Sequence, residues 1–552
     1  MTTDRELFDR WLDQPAPLLP VLHAFHERDG YLSEEALRSI AAELRIPIAD
    51  LFGTVTFYHH FAREPEGRHT PRVCEGPICT LRGAKRLKTG LGRCAGMPCP
   101  GRCDEPVPVL LGDRVLIGAT ADLLVERPSP LPSPPPAGTT ECVFSRIREP
   151  GRATLAGYLA TGGYAGLDAA RTGSPDELLD LIDTSGLAGR GGAGFPTGRK
   201  WRAVADAAGS PKTIVCNADE GEPGCFKDRA LLDYDPHAVI EGMLAAGFAT
   251  GATRGFIYLR YEYPATLGIL ETALAESRAA GRIGPDALGP GRGFELYVRR
   301  GAGAYICGEE TSLLNSLEGS HPFPRNRPPF PVTHGFENLP TAVNNVETLA
   351  SVPHILAHGS DWYRELGIGD HAGTKVISLS GDVERPGNYE VPMGFPLRRL
   401  LEDVAGGAPG GRGIQAVTMA GLSGGFLAGD DLDVTLDEPG IRAKRSFLGA
   451  GGIMVFDDSR DMVSIAHSAM EFFAEESCGK CFPCRIGTRR LTERLGGDGP
   501  GDLGTWVDEV TDLSQTMKET SACGLGQAAP LITESLLRYF PEQVTRHVEA
   551  GV

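Results

Sequence analysis

The chain has 552 residues, too many for one hydrophobic core, so it divides into several domains. Its 54 basic and 72 acidic residues leave a net charge of −18, which argues against a nucleic-acid binder built on basic patches. Apolar residues make up 41% but never run for the roughly 18 positions a membrane span needs, and the start MTTDRELFDRWLDQ is charged throughout, so a cytoplasmic protein without direct membrane insertion is expected.

In chain order, Ser33 is placed to cap a helix whose first turn holds Glu34 and Glu35. Leu37, Ile40, Ala41 and Leu44 follow the i, i+3, i+4, i+7 spacing of a buried stripe, and Pro47 starts the next helix. From Val73 cysteines and glycines take over, and VPVLLGDRVLIG (107–118) reads as two short strands around a Gly-Asp turn. The stretch PSPLPSPPPAG (128–138) holds neither helix nor central strand and is expected to run as an extended, semi-rigid linker. Beyond it, Ser174 caps a helix over 174–187. Strands are expected at 213–224, 255–264 and 294–305, alternating with helices such as 236–249, as in a wound α/β sheet. Residues 374–392 read as a β-hairpin opening a smaller α+β domain, and a helical tail begins at Met462.

Cytosolic thiols stay reduced, so 13 cysteines point to metal binding before disulfides. In ESCGKCFPCRIGT (476–488), Cys478, Cys481 and Cys484 place three thiolates within about one helical turn. That spacing suits three corners of a 4Fe–4S cube better than the separated pairs of structural zinc, and the one cysteine further on, Cys523, is the candidate fourth ligand. A second group, Cys74, Cys79, Cys94, Cys99 and Cys103, offers a C-x4-C pair and a C-x3-C pair for a 2Fe–2S centre with Cys94 left over. Zinc remains an alternative there.

GRGGAGFPTGRKW (189–201) matches G-x-G-x-x-G formally, but a helix precedes it, so it is not a Rossmann fingerprint; nor is it a Walker A loop. Its glycines still let backbone N–H groups approach an anion closely, with Lys200 as a nearby cation and Phe195 and Trp201 as flat apolar faces. The bland alternative is a glycine loop beside a core aromatic. Asp219, Glu220, Glu222, Glu309 and Glu310 are carboxylates near glycine loops, able to accept hydrogen bonds from ribose hydroxyls or a flavin ring, although each alone is more commonly a solvated charge.

Taken together, GRGGAGFPTGRKW, NADEGEPG, GAGAYICGEETSLLNSLEG, NNVETLASVP and ESCGKCFPCRIGT with CGLGQAAP resemble the NADH-binding flavoprotein subunit of respiratory complex I. The N-terminal module resembles its thioredoxin-like 2Fe–2S partner, here fused to it. Such fusions resemble the beta subunit of NAD-dependent molybdenum or tungsten formate dehydrogenases. The resemblance implies a multidomain α/β protein: a helical plus thioredoxin-like 2Fe–2S module (1–127), the Pro-rich linker (128–138), a Rossmann-like FMN and NAD(H) domain (139–365), a β-grasp domain of structural role (366–455) and a helical 4Fe–4S domain (456–552). It implies FMN contacts from Gly189, Gly191, Lys200, Asn217, Asp219, Tyr305, Gly308, Glu309, Asn344, Asn345 and Thr348. It implies NAD contacts from Phe195, Glu222, Glu310 and Phe330, with the two phenylalanines sandwiching the nicotinamide.

The 4Fe–4S ligands would be Cys478, Cys481, Cys484 and Cys523, and the 2Fe–2S ligands Cys74, Cys79, Cys99 and Cys103. No protein nucleophile or acid–base catalyst is implied. The expected activity is that of a diaphorase subunit passing electrons between NAD, FMN and iron–sulfur clusters, partnered by a formate dehydrogenase alpha subunit carrying further clusters. The alternatives are a subunit of an NAD-reducing hydrogenase or of complex I and, from another class, a zinc-structured scaffold. One departure stands out: only 19 residues separate Cys79 from Cys99, which implies a lost helix or strand and leaves room for Cys94 to replace Cys99. Another is Arg327, where relatives often carry lysine.

Overall fold

The computed structural model describes residues 2–65 and 67–550. Four helices come first, Asp4–Trp11, Leu18–Asp29, Glu34–Leu44 and Ile48–Phe57. Ser33 Oγ accepts the Ala36 N–H at 3.1 Å, and Leu37, Ile40 and Ala41 turn inward, as the stripe requires. A five-stranded sheet follows, built from β1 (Arg72–Cys74), β2 (Ala95–Met97), β3 (Pro108–Leu111), β4 (Arg114–Ile117) and β5 (Val125–Glu126) in the order β2-β1-β3-β4-β5. The β3–β4 hairpin turns at Gly112, whose φ of 59° suits glycine. The short Cys79–Cys99 interval still holds the rest of helix Pro77–Leu81, all of helix Ala84–Leu91 and β2.

The proline-rich strap at 128–138 has no helix or strand, as its prolines dictate, but it is bonded to what it crosses. Ser133 N–H reaches Asn388 O at 2.9 Å and Ser129 Oγ reaches Asp233 Oδ2 at 2.6 Å. The N-terminal helices are therefore not an isolated module. Leu22, Phe25 and Ile40 share one core with Phe256 and Tyr258 of the next sheet and with Phe473 and Leu491 of the C-terminal helices.

That second sheet comprises β6 (Thr213–Ala218), β7 (Arg254–Leu259), β8 (Glu295–Arg300) and β9 (Thr341–Asn345), all parallel in the order β8-β7-β6-β9. Helix Pro236–Thr250 is buried along its whole length, which accounts for its apolar composition on every side. The third sheet contains β10 (Thr374–Gly381), β11 (Gly387–Pro392), β12 (Ile414–Thr418), β13 (Phe426–Ala428) and β14 (Gly452–Asp457) in the order β11-β10-β14-β12-β13, with β10 and β14 parallel at its centre. Helices Met462–Glu475, Phe482–Leu495, Leu503–Thr520, Pro530–Tyr539 and Pro541–Ala550 complete the chain. Among the described residues no helix is long and apolar enough to cross a membrane.

Candidate functional site: a glycine-walled cleft between two cysteine clusters

β6 lies between β7 and β9, and the crevice at the carboxyl ends of β6 and β9 is where parallel sheets bind ligands. A cleft of ≈ 360 Å³ opens there. Asn217, at the end of β6, donates Nδ2 to Gly308 O at 2.8 Å; Asn345, at the end of β9, donates Nδ2 to Asp228 Oδ2 at 2.6 Å. The glycine loop crosses directly above Asn345: a Cβ on Gly191 would lie 3.0 Å from Asn345 Cβ, so only glycine passes there without pushing the wall back. Of the expected flavin residues, Gly191, Asn217, Tyr305, Gly308, Glu309 and Asn345 line the cleft.

The others stand behind it. Gly189 N–H bonds Phe195 O at 2.9 Å and closes the loop on itself. Thr348 Oγ1 accepts the Arg190 N–H at 2.8 Å, and Asn344 Oδ1 accepts Trp201 Nε1 at 3.0 Å. Lys200 Nζ donates to Val343 O at 2.9 Å and lies 3.7 Å from Glu310. Asp219 is buried, and burial holds its carboxyl well above the usual range. Glu309 caps helix Glu310–Leu317, accepting from the N–H groups of Thr311 and Ser312. Its second oxygen pairs with Arg327, which also reaches Glu310, so the arginine ties the two carboxylates of the rim together. Phe195 and Phe330 are each 51% exposed, faces still available for a flat ligand.

Glu222 lines the cleft and accepts from the N–H groups of Leu422 and Ser423 and from the hydroxyls of Ser423 and Tyr305; burial raises its pKa. The third sheet's domain, for which the resemblance implies a structural role, also forms a wall of the cleft. Ser423, Phe447 and Ala450 line the cleft beside Asp228, and none of these stands out by residue type. The available signal is glycine density at 421–425 and 449–452: a Cβ on Gly421 would collide with Glu222 Cγ at 2.3 Å.

Behind the cleft, Cys478, Cys481, Cys484 and Cys523 line a single small cavity. Cys481 precedes helix Phe482–Leu495, Cys484 sits in its first turn, and Cys523 precedes helix Gly524–Ala528. Helix N-termini favour the negative charge of thiolates. Burial pushes the Cys484 thiol up to about 12 and Cys523 to about 11. Bound iron would supply the compensating positive charge. Ile306 and Leu525 line both this cavity and the cleft.

In the N-terminal module, Cys74, Cys79, Cys99 and Cys103 are buried together, with Cys99 and Cys103 sulfurs 3.3 Å apart. Cys94 is only half-buried, its sulfur 3.6 Å from Lys88 O, and it packs against the core that holds the four. The loop carrying Cys99 and Cys103 is docked on the domain of the second sheet. Asp104 receives two bonds from Arg229 at 3.1 and 3.0 Å, and Arg260 donates to Cys99 O at 2.8 Å. Among the described residues no three His, Cys, Asp or Glu side chains are set to hold one metal ion. Two all-thiol sets suit polynuclear clusters, and the glycine-walled cleft has room for a flat ligand.

Comparison with known proteins agrees with this layout. The Nuo51 FMN-binding domain matches residues 182–354, the NADH-ubiquinone oxidoreductase-F iron-sulfur binding region 464–547, the thioredoxin-like [2Fe-2S] ferredoxin 5–107 and the SLBB domain 376–425. The chain is 35% identical to the NAD-reducing hydrogenase HoxS subunit alpha of Cupriavidus necator, covering 97% of this chain and 92% of that one. It is 45% identical to an NADH-quinone oxidoreductase subunit of Rhizobium meliloti, over 72% of this chain and 94% of that one. It is also 45% identical to the NADP-reducing hydrogenase subunit HndC of Solidesulfovibrio fructosivorans, over 71% and 80%. A crystal structure of an air-oxidized NAD+-reducing [NiFe]-hydrogenase superposes with a TM-score of 0.82 at 31% identity, covering 99% of this chain and 95% of that one.

Proposed function

We propose that this chain, which belongs to the family of NADH-binding FMN and iron–sulfur subunits of complex I and NAD-reducing hydrogenases, is the diaphorase subunit of a hydrogenase-type complex. Membership makes it an NAD(H)-dependent oxidoreductase subunit carrying FMN, a 4Fe–4S cluster and a 2Fe–2S cluster. Bound FMN supplies the exchange between hydride, which moves two electrons together, and the single electrons that iron–sulfur clusters carry. The one observation that carries the reading is the shared wall: Ile306 and Leu525 face both the cleft and the four-cysteine cavity, so a two-electron site abuts a one-electron site.

In this reading the loop at Gly189 and Gly191 and the Asn217, Asn345 and Gly308 surfaces orient the flavin. Phe195 and Phe330 flank the nicotinamide. The carboxylates position groups and transfer no proton in the chemical step. Cys478, Cys481, Cys484 and Cys523 hold the 4Fe–4S cluster, and Cys74, Cys79, Cys99 and Cys103 the 2Fe–2S cluster.

The expected partner is a metal-bearing catalytic subunit with further iron–sulfur clusters. The alignment with the hydrogenase alpha subunit runs through the fused N-terminal module, whereas that with the quinone oxidoreductase relative covers 72% of this chain, which favours the hydrogenase type. The formate dehydrogenase partnership expected from sequence has no counterpart among the relatives named above. The test is purification of the native complex. A nickel-containing partner, with NADH oxidation by artificial acceptors retained in the isolated chain, supports the proposal. A molybdenum or tungsten partner turning over formate would replace it, and colourless protein holding zinc alone would end it.

A further inference from the structure

A buried arginine links the flavin cleft to the 2Fe–2S ligands. Arg260 follows β7 and is 4% exposed. One arm donates to the carbonyl of Glu220, a cleft-lining residue, at 2.5 Å; another donates to the carbonyl of the ligand residue Cys99 at 2.8 Å. A single carboxylate, Glu262, meets the guanidinium at 3.0 and 3.1 Å, while nearby Asp219 is pushed by burial toward its neutral form. Tyr263 completes the seat: its ring lies 5.1 Å from the guanidinium, and its hydroxyl donates to Glu220 Oε2 at 2.8 Å. Glu220 itself holds a φ of 28°, so the cleft wall stands in an uncommon backbone conformation directly beside the arginine.

We propose that Arg260 is a positioning residue that joins the 2Fe–2S site to the flavin cleft and biases that cluster toward its reduced form. The inference rests on the cluster assignment of the proposed function. NADH oxidation to NAD+ releases two electrons and one proton. Each iron–sulfur centre accepts one electron, and the proton leaves to water. An electron arriving at the 2Fe–2S site adds negative charge to a group already negative from its thiolates. A buried cation bonded to a ligand's own carbonyl stabilises that added charge, because low-dielectric surroundings screen it weakly. Only a two-armed guanidinium spans both carbonyls.

The test is a redox titration of the purified full chain, followed by electron paramagnetic resonance of the 2Fe–2S signal. Arg260→Gln is expected to weaken reduction of that cluster by about tenfold, a fall of roughly 59 mV in its midpoint. Arg260→Lys should restore most of the midpoint. Glu262→Gln, which leaves the arginine less compensated, should raise it. An unchanged midpoint in a cluster-loaded Arg260→Gln protein overturns the proposal, even where thermal stability falls. If Arg260→Gln does not fold, an unchanged midpoint in Glu262→Gln overturns it instead. A wild-type chain with iron but no 2Fe–2S signal would remove the cluster assignment itself, a distinguishable failure.

Discussion

Lys375→Met tests whether the third sheet's domain shapes the flavin loop. Lys375, on β10, is 2% exposed, and its Nζ donates to the carbonyl of Arg190 in the glycine loop at 2.6 Å. The nearest carboxylate, Glu347, is 3.4 Å away but lies closer to Lys227, at 2.9 Å, and Lys227 also takes Asp228 at 2.6 Å. Lys227 therefore wins the anions: its pKa is raised, whereas burial lowers that of Lys375 from its usual 10.5 to about 8.

That fall makes the charged form cost on the order of 3 kcal/mol at neutral pH. The charge-assisted bond to Arg190 returns about 1.5–3 kcal/mol, so the substitution should leave global stability nearly unchanged. The loop, however, loses its anchor, and FMN affinity should fall by about 10- to 100-fold. The sign of the pH effect follows. Between pH 8 and 10.5 the unfolded chain binds the Lys375 proton and the folded chain does not, so this residue makes stability rise with pH there. Lys375→Met should abolish that rise. FMN titration of apoprotein by fluorescence, with calorimetry at pH 7 and 9, measures both. Unchanged FMN affinity in the variant would refute the reasoning.

Asp104→Ala strands the buried Arg229 guanidinium and should cost about 3–5 kcal/mol at the seam between the 2Fe–2S loop and the flavin domain, read as an earlier calorimetric transition with loss of that cluster's signal. Lys200→Glu puts a like charge beside Glu310 and removes a cation from the loop, so folded protein should emerge without flavin absorbance; full FMN occupancy would refute a role for Lys200. Cys523→Ser should abolish the 4Fe–4S signal while FMN is retained. Cys94→Ser should leave the 2Fe–2S signal intact, because Cys94 is half-buried whereas Cys74, Cys79, Cys99 and Cys103 are all buried.

The chemistry of this protein is written in short runs of residues. Three cysteines in seven positions, a dense glycine loop and capped helices such as the one after Ser33 act through local geometry, so their spacing carries their meaning. Pattern also yielded the β3–β4 and β10–β11 hairpins, since strand alternation and turn residues are local as well. Long-range packing is not legible in this way. Nothing in the strap at 128–138 announces that the N-terminal helices share a core with the C-terminal ones, because a core is a sum over contacts between distant segments.

Nor does residue type mark Ser423, Phe447, Lys375 or Arg260 as parts of the site; each matters only through what the fold sets beside it. The sequence alone pointed to a polynuclear cluster at Cys478, Cys481, Cys484 and Cys523, since ligand type and spacing are covalent facts, and its resemblance to a family named the flavin and nicotinamide. The tertiary structure alone decided that a third domain walls the cleft and that Ile306 and Leu525 line both the cleft and the four-cysteine cavity. Those are matters of distance between residues far apart in the chain, and only folding sets such distances.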